Sequence, residues 1–101
     1  MKARLLDARY SERVIPLEKL PVLIGRGPDA EIHVLDRFTS RRHCEISQRD
    51  GTLFVRDLGS SNGCLVNGRY ANESSLRPGD TLSVGLTTFV VLYEISEENQ
   101  N

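Results

Sequence analysis

The feature that most limits the fold is a turn: Asp50-Gly51 stands between HCEISQR and TLFVRDL, two stretches of seven residues each. Aspartate and glycine accept positive φ at low cost, as two-residue hairpin turns require. The simplest structure is an antiparallel hairpin with its turn at Asp50-Gly51. Around it, short apolar stretches recur between turn residues: ARLLDA, VIPL, PVLIG, EIHVL, CLV, TLSVG and TTFVVLYEI. None carries a sustained i, i+3, i+4 apolar face, and Asn62-Gly63 and Asn67-Gly68 add further turn signals. The chain reads as all-β, an antiparallel sandwich or barrel.

The same hairpin gathers polar residues. At its open end the first strand is entered from FTSRR and the second leaves into GSSNG, and antiparallel neighbours lie roughly 5 Å apart. Ser40, Arg41, Ser60, Ser61 and Asn62 therefore converge, as either a solvated turn or an anion site. Lysine occurs only at Lys2 and Lys19, so the cations are nearly all arginine, the residue suited to forked recognition of an oxyanion. The net charge of -1 argues against a general polyanion binder, because nonspecific nucleic-acid affinity needs many phosphates neutralised together. That also disfavours nucleic-acid binding through Arg37, Arg41 and Arg42. Any anion recognised here is small and local.

With 101 residues, 39% hydrophobic and 27% charged, the chain fits one compact domain over residues 1–95 followed by a polar tail, SEENQN, over 96–101. No apolar run approaches the roughly 18 to 20 residues that span a bilayer, and MKARLLDARY carries charge where a signal peptide is apolar. The expectation is a soluble, unsecreted protein with no membrane association, cytoplasmic, or nuclear in a eukaryotic cell. Cys44 and Cys64 lack zinc-site spacing and read as buried free thiols, so neither a metal nor another cofactor is expected. Without a secretion signal, the glycosylation match at Asn72-Glu-Ser74 carries no weight.

Two catalytic or nucleotide readings fail on context. LIGRGPDA contains G-x-G-x-x-A, but Pro28 and the strand-like EIHVL follow too closely for the helix that a dinucleotide fingerprint must open. Ser40, His43 and Asp57 could be drawn as nucleophile, base and orienter, yet Ser-x-x-His across a loop is easily met by chance and no substrate pocket is indicated. His43 reads instead as a structural donor tying the loop down, and His33 as a half-buried strand residue. Arg26, ending an apolar strand beside Gly25, is either an exposed loop arginine or a fixed guanidinium. Topology alone does not bring it to the hairpin's open end if successive strands alternate in direction and EIHVL intervenes.

In order along the chain stand Gly25-Arg26, Ser40-Arg41-Arg42-His43, Asp57-Leu58-Gly59-Ser60-Ser61-Asn62-Gly63, Val66-Asn67-Gly68 and Leu76-Arg77-Pro78-Gly79-Asp80. Together these motifs resemble the forkhead-associated (FHA) domain, with the match running from about residue 22 to 95 and the first twenty residues fitting two leading strands. The resemblance implies an antiparallel β-sandwich of about eleven strands, without catalytic activity, whose loops at one end bind phosphothreonine in a partner protein. It also implies that the loop after Gly25-Arg26 lies beside the Ser40-Arg41 loop. Carried over by residue, Arg26 and Ser40 hold the phosphate, Arg41 touches phosphate or peptide backbone, Ser61 approaches the phosphate, and Asn62 holds the peptide main chain. Gly25, His43 and Gly63 shape the loops, while Arg42 is not implicated. Variable loops, here including Arg69-Tyr70-Ala71-Asn72 and the stretch around Pro28, read further ligand residues.

The expected function is thus a phosphothreonine-dependent interaction module in Ser/Thr kinase signalling, with components of such a pathway as partners. The alternative is a phosphate-independent scaffold or dimerisation module on the same fold. A preference for phosphothreonine over phosphoserine of roughly 1 to 3 kcal/mol needs only a small apolar notch for one methyl group.

Overall fold

The computed structural model describes residues 1–94; the tail expected over 96–101 lies outside them. Eleven strands follow one another: β1 (Ala3–Asp7), β2 (Val14–Leu17), β3 (Val22–Gly25), β4 (Ile32–His33), β5 (Cys44–Arg49), β6 (Thr52–Asp57), β7 (Cys64–Val66), β8 (Arg69–Ala71), β9 (Glu73–Leu76), β10 (Thr81–Val84) and β11 (Thr87–Leu92). One sheet has the order β2-β1-β11-β10-β7-β8 and the other β4-β3-β5-β6-β9. The all-β sandwich expected from sequence is what forms.

The hairpin lies where its turn chemistry puts it. Asp50 and Gly51 take φ of 52° and 77°, and β5 pairs with β6 in a continuous register from Arg49↔Thr52 to Cys44↔Asp57. Alternation then decides the faces: Cys44 and Ile46 on β5, and Leu53 and Val55 on β6, point inward and are buried. Facing them across the sandwich are Leu5, Leu82, Val84, Phe89 and Val91, also fully buried. Each such aliphatic or aromatic side chain contributes about 1.5–3 kcal/mol by leaving water. The Tyr93 hydroxyl donates to the Leu76 carbonyl at 2.6 Å and accepts from the Leu53 N–H, so the end of β11 is pinned to both β9 and β6.

Three expectations need correction. Pairing is antiparallel throughout except that β4 runs parallel to β3, with Ile24↔Ile32 and Gly25↔His33 in register. Arg69-Tyr70-Ala71-Asn72 is not a loop, since Arg69–Ala71 form β8 against β7. His33 is exposed, not half-buried, because the neighbours Ile32 and Val34 take the inward positions. Cys44 and Cys64 are buried free thiols, as expected. No helix among the described residues is long and apolar enough to cross a membrane.

Candidate anion-binding site

The parallel placement of β4 on the outer side of β3 leaves β3 directly beside β5, and this brings Arg26 to the hairpin's open end. The β3–β5 pairing continues past the strands: the His43 N–H donates to the Ile24 carbonyl at 2.9 Å, Arg26 N–H to Ser40 at 3.0 Å, and Gly27 N–H to Arg41 at 3.1 Å. So close an approach needs glycine. A Cβ on Gly25 would collide with the Arg41 carbonyl, and one on Gly27 would sit 2.9 Å from the Arg41 Cβ. Gly25 was legible from its motif; Gly27, in the same GRG run, was not singled out.

The side chains at this junction leave their charged ends outward. Arg26 is exposed, and its Nε donates to the Thr39 carbonyl at 2.9 Å, which orients the guanidinium and leaves its two terminal nitrogens for another acceptor. The Ser61 N–H donates to Ser40 Oγ at 3.0 Å, so the Ser40 hydroxyl keeps its own proton for donation. Arg41 is exposed, whereas Arg42 turns to Asp29 at 3.5 Å. Asn62 Nδ2 donates to the Phe38 carbonyl at 2.9 Å, binding the β6–β7 loop to the β4–β5 loop. Arg26, Ser40, Arg41, Ser61 and Asn62 are therefore brought together.

Ser60 departs from the expected convergence. Its hydroxyl donates to Asp57 Oδ1 and accepts from the Gly63 N–H, while Asp57 Oδ2 accepts from the Gly59 and Ser60 N–H groups. Asp57 and Ser60 thus build the β6–β7 turn from inside, an arrangement typical of Asx turns. Gly63 closes it with φ of 74°.

His43 is fully buried beneath both loops. Its Nδ1 accepts from the Ser40 N–H at 3.0 Å and its Nε2 lies 2.7 Å from the Gly63 carbonyl, which fixes the tautomer: the proton is on Nε2, donating to Gly63. The ring ties the β4–β5 loop to the β6–β7 loop, as both an acceptor and a donor. The drawn catalytic set does not assemble, because His43 meets the Ser40 backbone and not its hydroxyl, and Asp57 bonds Gly59 and Ser60.

Sequence reading missed Asp36. Oδ1 accepts from the Phe38 N–H and the Thr39 hydroxyl, and Oδ2 from the Leu86 N–H at 2.9 Å. Asp-x-x-Thr was the available signal for the local half; Leu86, fifty residues away, was not readable. Burial alone raises the Asp36 carboxyl, but the N–H groups of Leu86 and Phe38 and the Thr39 hydroxyl outweigh it and hold it below the ordinary aspartate value of 3.8. At Asp7 burial is likewise outweighed, by the Tyr10 and Arg9 N–H groups and by Arg13. A carboxyl lowered in the folded state stabilises at pH above its unfolded value and loses that contribution as pH falls through the folded one. Thermal melts should therefore show stability from these two residues lost only below pH 3.8. Asp36→Asn should be less stable than the parent at neutral pH and lose less on acidification.

The family model for the FHA domain matches residues 22–85. The oxoglutarate dehydrogenase inhibitor of Corynebacterium diphtheriae is 38% identical over 69 residues, 68% of this chain and 48% of that protein. The chain spans about half the length of that relative and 15% of the length of the FHA domain-containing protein FhaA of Mycobacterium tuberculosis, to which it is 36% identical over 81 residues, 80% of this chain. Among solved structures, Mycobacterium tuberculosis EmbR in complex with a low affinity phosphopeptide superposes with a TM-score of 0.86 at 28% identity, over 96% of this chain and 26% of that one.

Proposed function

The chain belongs to the FHA domain family, and from that premise we propose that Arg26, Ser40, Arg41 and Ser61 hold the phosphate of a phosphothreonine in a partner protein. The observation that carries this reading is the set of donors left available on one surface: the two terminal nitrogens of Arg26, the Ser40 hydroxyl and the Arg41 guanidinium. A phosphorylated side chain presents close to two negative charges and three strong acceptor oxygens, which such donors match without a metal. Arg26 forks two of the oxygens, Ser40 donates a hydroxyl proton, and Arg41 and Ser61 close around the remainder. One Nδ2 hydrogen of Asn62 is engaged by Phe38, so its Oδ1 and second hydrogen hold the peptide main chain. Gly25, His43 and Gly63 set the loops and touch no ligand.

The domain, residues 1–95, is a phosphothreonine-dependent interaction module, and its partners are phosphorylated components of a Ser/Thr kinase pathway. It binds without catalysis, nucleic acid or membrane. We place it in the cytoplasm; its two cysteines are free and buried, as a reducing compartment keeps them.

Ser40→Ala should weaken binding of a phosphothreonine peptide by about 1.5–3 kcal/mol, the range for a hydrogen bond to a charged group. Titration calorimetry on the folded variant checks it, and a smaller loss means that the hydroxyl points elsewhere. In the parent, affinity should decline as pH falls below about 6, where the phosphate takes up its second proton. Because the Asp36 and Asp7 contributions persist down to 3.8, that decline precedes any acid effect through them. A flat profile from about pH 7.5 to 5 contradicts phosphate recognition.

A further inference from the structure

Beneath the loops that build the anion site lies a pair of reactive side chains that phosphate recognition does not use. Cys44 opens β5 and Cys64 opens β7, so the two thiols enter the core from opposite sheets. Both are free and fully buried. Each follows one member of the tie between the loops: Cys44 comes after His43 and Cys64 after Gly63, and the His43 Nε2 donates to the Gly63 carbonyl at 2.7 Å. That bond draws the two segments together at one end of the sandwich, and the thiols are in hydrogen-bonding contact next to it.

The contact has a direction. The Cys64 S–H donates to the Ala71 carbonyl at 3.4 Å, which leaves the Cys64 sulfur as acceptor for the Cys44 S–H. Donation from Cys44 holds the Cys64 thiol below the ordinary value of 9.0, against burial and the Asp57 carboxylate. The same bond, with burial and Asp57, pushes Cys44 well above it. Cys64 is thus the nucleophilic sulfur and Cys44 stands beside it in the resolving position. Solvent approaches from the Cys64 side. β7 is flanked there by β8, a three-residue edge strand in which Ala71 pairs with Cys64. Ala71 also lines an open cleft of about 780 Å³ with Tyr70, Asn72 and Ser74. A short edge strand opens locally at far less cost than the core, so a molecule little larger than water reaches Cys64 without global unfolding.

We propose that Cys44 and Cys64 are a redox modification site: hydrogen peroxide converts them to a reversible disulfide, which ties the Ser40 and Ser61 loops beside the His43 tie. First the Cys64 thiolate attacks one peroxide oxygen; the O–O bond breaks, Cys64 becomes a sulfenic acid, and the departing hydroxide takes up the Cys64 proton as water. Then the Cys44 sulfur attacks the Cys64 sulfur; the S–O bond breaks, and the hydroxide leaves with the Cys44 proton as a second water. Two thiols lose two electrons and two protons, and one peroxide is reduced to two waters. A dithiol reductant restores both cysteines by exchange.

The test exposes the folded chain to hydrogen peroxide near neutral pH, with thiol titration, mass spectrometry and thermal melts as readouts. Both thiols should disappear together, with a mass loss of about 2 Da, no cross-linked dimer, and full recovery after dithiothreitol. Oxidation should raise the melting temperature by about 10 °C, the scale for closing a loop of this length in a small domain. His43→Ala should lower the melting temperature less in the oxidised chain than in the reduced one, because the disulfide replaces part of the lost tie. In Cys44→Ala the remaining Cys64 should pass on to sulfinic acid, whereas in Cys64→Ala the same exposure should leave Cys44 unmodified. Thiols that both survive in the folded parent, sulfinic acid at Cys64 in place of the disulfide, or a disulfide between two chains each overturns the proposal. A melting temperature that does not rise on oxidation overturns the loop-tying role.

Discussion

Arg26→Ala is expected to abolish measurable phosphopeptide binding while leaving the fold intact. Arg26 is exposed, so truncation opens no cavity, and the backbone bond from its N–H to Ser40 is kept. What disappears is a guanidinium already oriented by the Thr39 carbonyl. Two charge-assisted bonds at about 1.5–3 kcal/mol each amount to a loss of roughly a hundredfold or more. Arg26→Lys should also weaken binding, because one ammonium cannot both satisfy Thr39 and fork two phosphate oxygens. Calorimetry with a phosphothreonine peptide, beside a thermal melt of each variant, reads both effects. Unchanged affinity in the two variants would remove Arg26 from the site.

The second large effect is on stability. His43→Ala should lower the unfolding free energy by about 3–5 kcal/mol, a large share of the 5–15 kcal/mol typical of a domain. The imidazole is fully buried and bonds the Ser40 N–H and the Gly63 carbonyl. Removing it leaves a cavity and two backbone groups without partners, each costing about 1–3 kcal/mol if water cannot reach it. Urea unfolding measures the loss. Because the ring joins the loops carrying Ser40 and Ser61, phosphopeptide affinity should fall with it even where the variant remains folded. A midpoint equal to the parent's would mean that the two loops are held by other contacts.

How much of this was legible follows the range of the interactions. Asp50-Gly51 dictates its own backbone, so the hairpin and the meeting of Ser40 with Ser61 could be read from turn chemistry and strand length. The parallel β3–β4 pair could not. β4 has two residues, and its partner is chosen by the burial of Ile32 and Val34 in a core assembled from distant strands. β8 and β9 were missed for a related reason: Arg69 and Tyr70 are exposed and Leu76 is the only buried residue of ESSL, so neither stretch shows a clear apolar alternation. The bond from Leu86 to Asp36 and the inward turn of Ser60 are likewise tertiary facts. Family resemblance, not periodicity, supplied the strand count and the adjacency of Arg26 to Ser40.

The most direct test of the central claim is binding of the folded domain to an oriented phosphothreonine peptide library, with phosphoserine and unphosphorylated libraries run alongside at fixed salt. The account predicts micromolar binding selective for phosphothreonine, weaker for phosphoserine, and absent without phosphate. Binding that is indifferent to phosphorylation, in a sample shown to be folded, would contradict it.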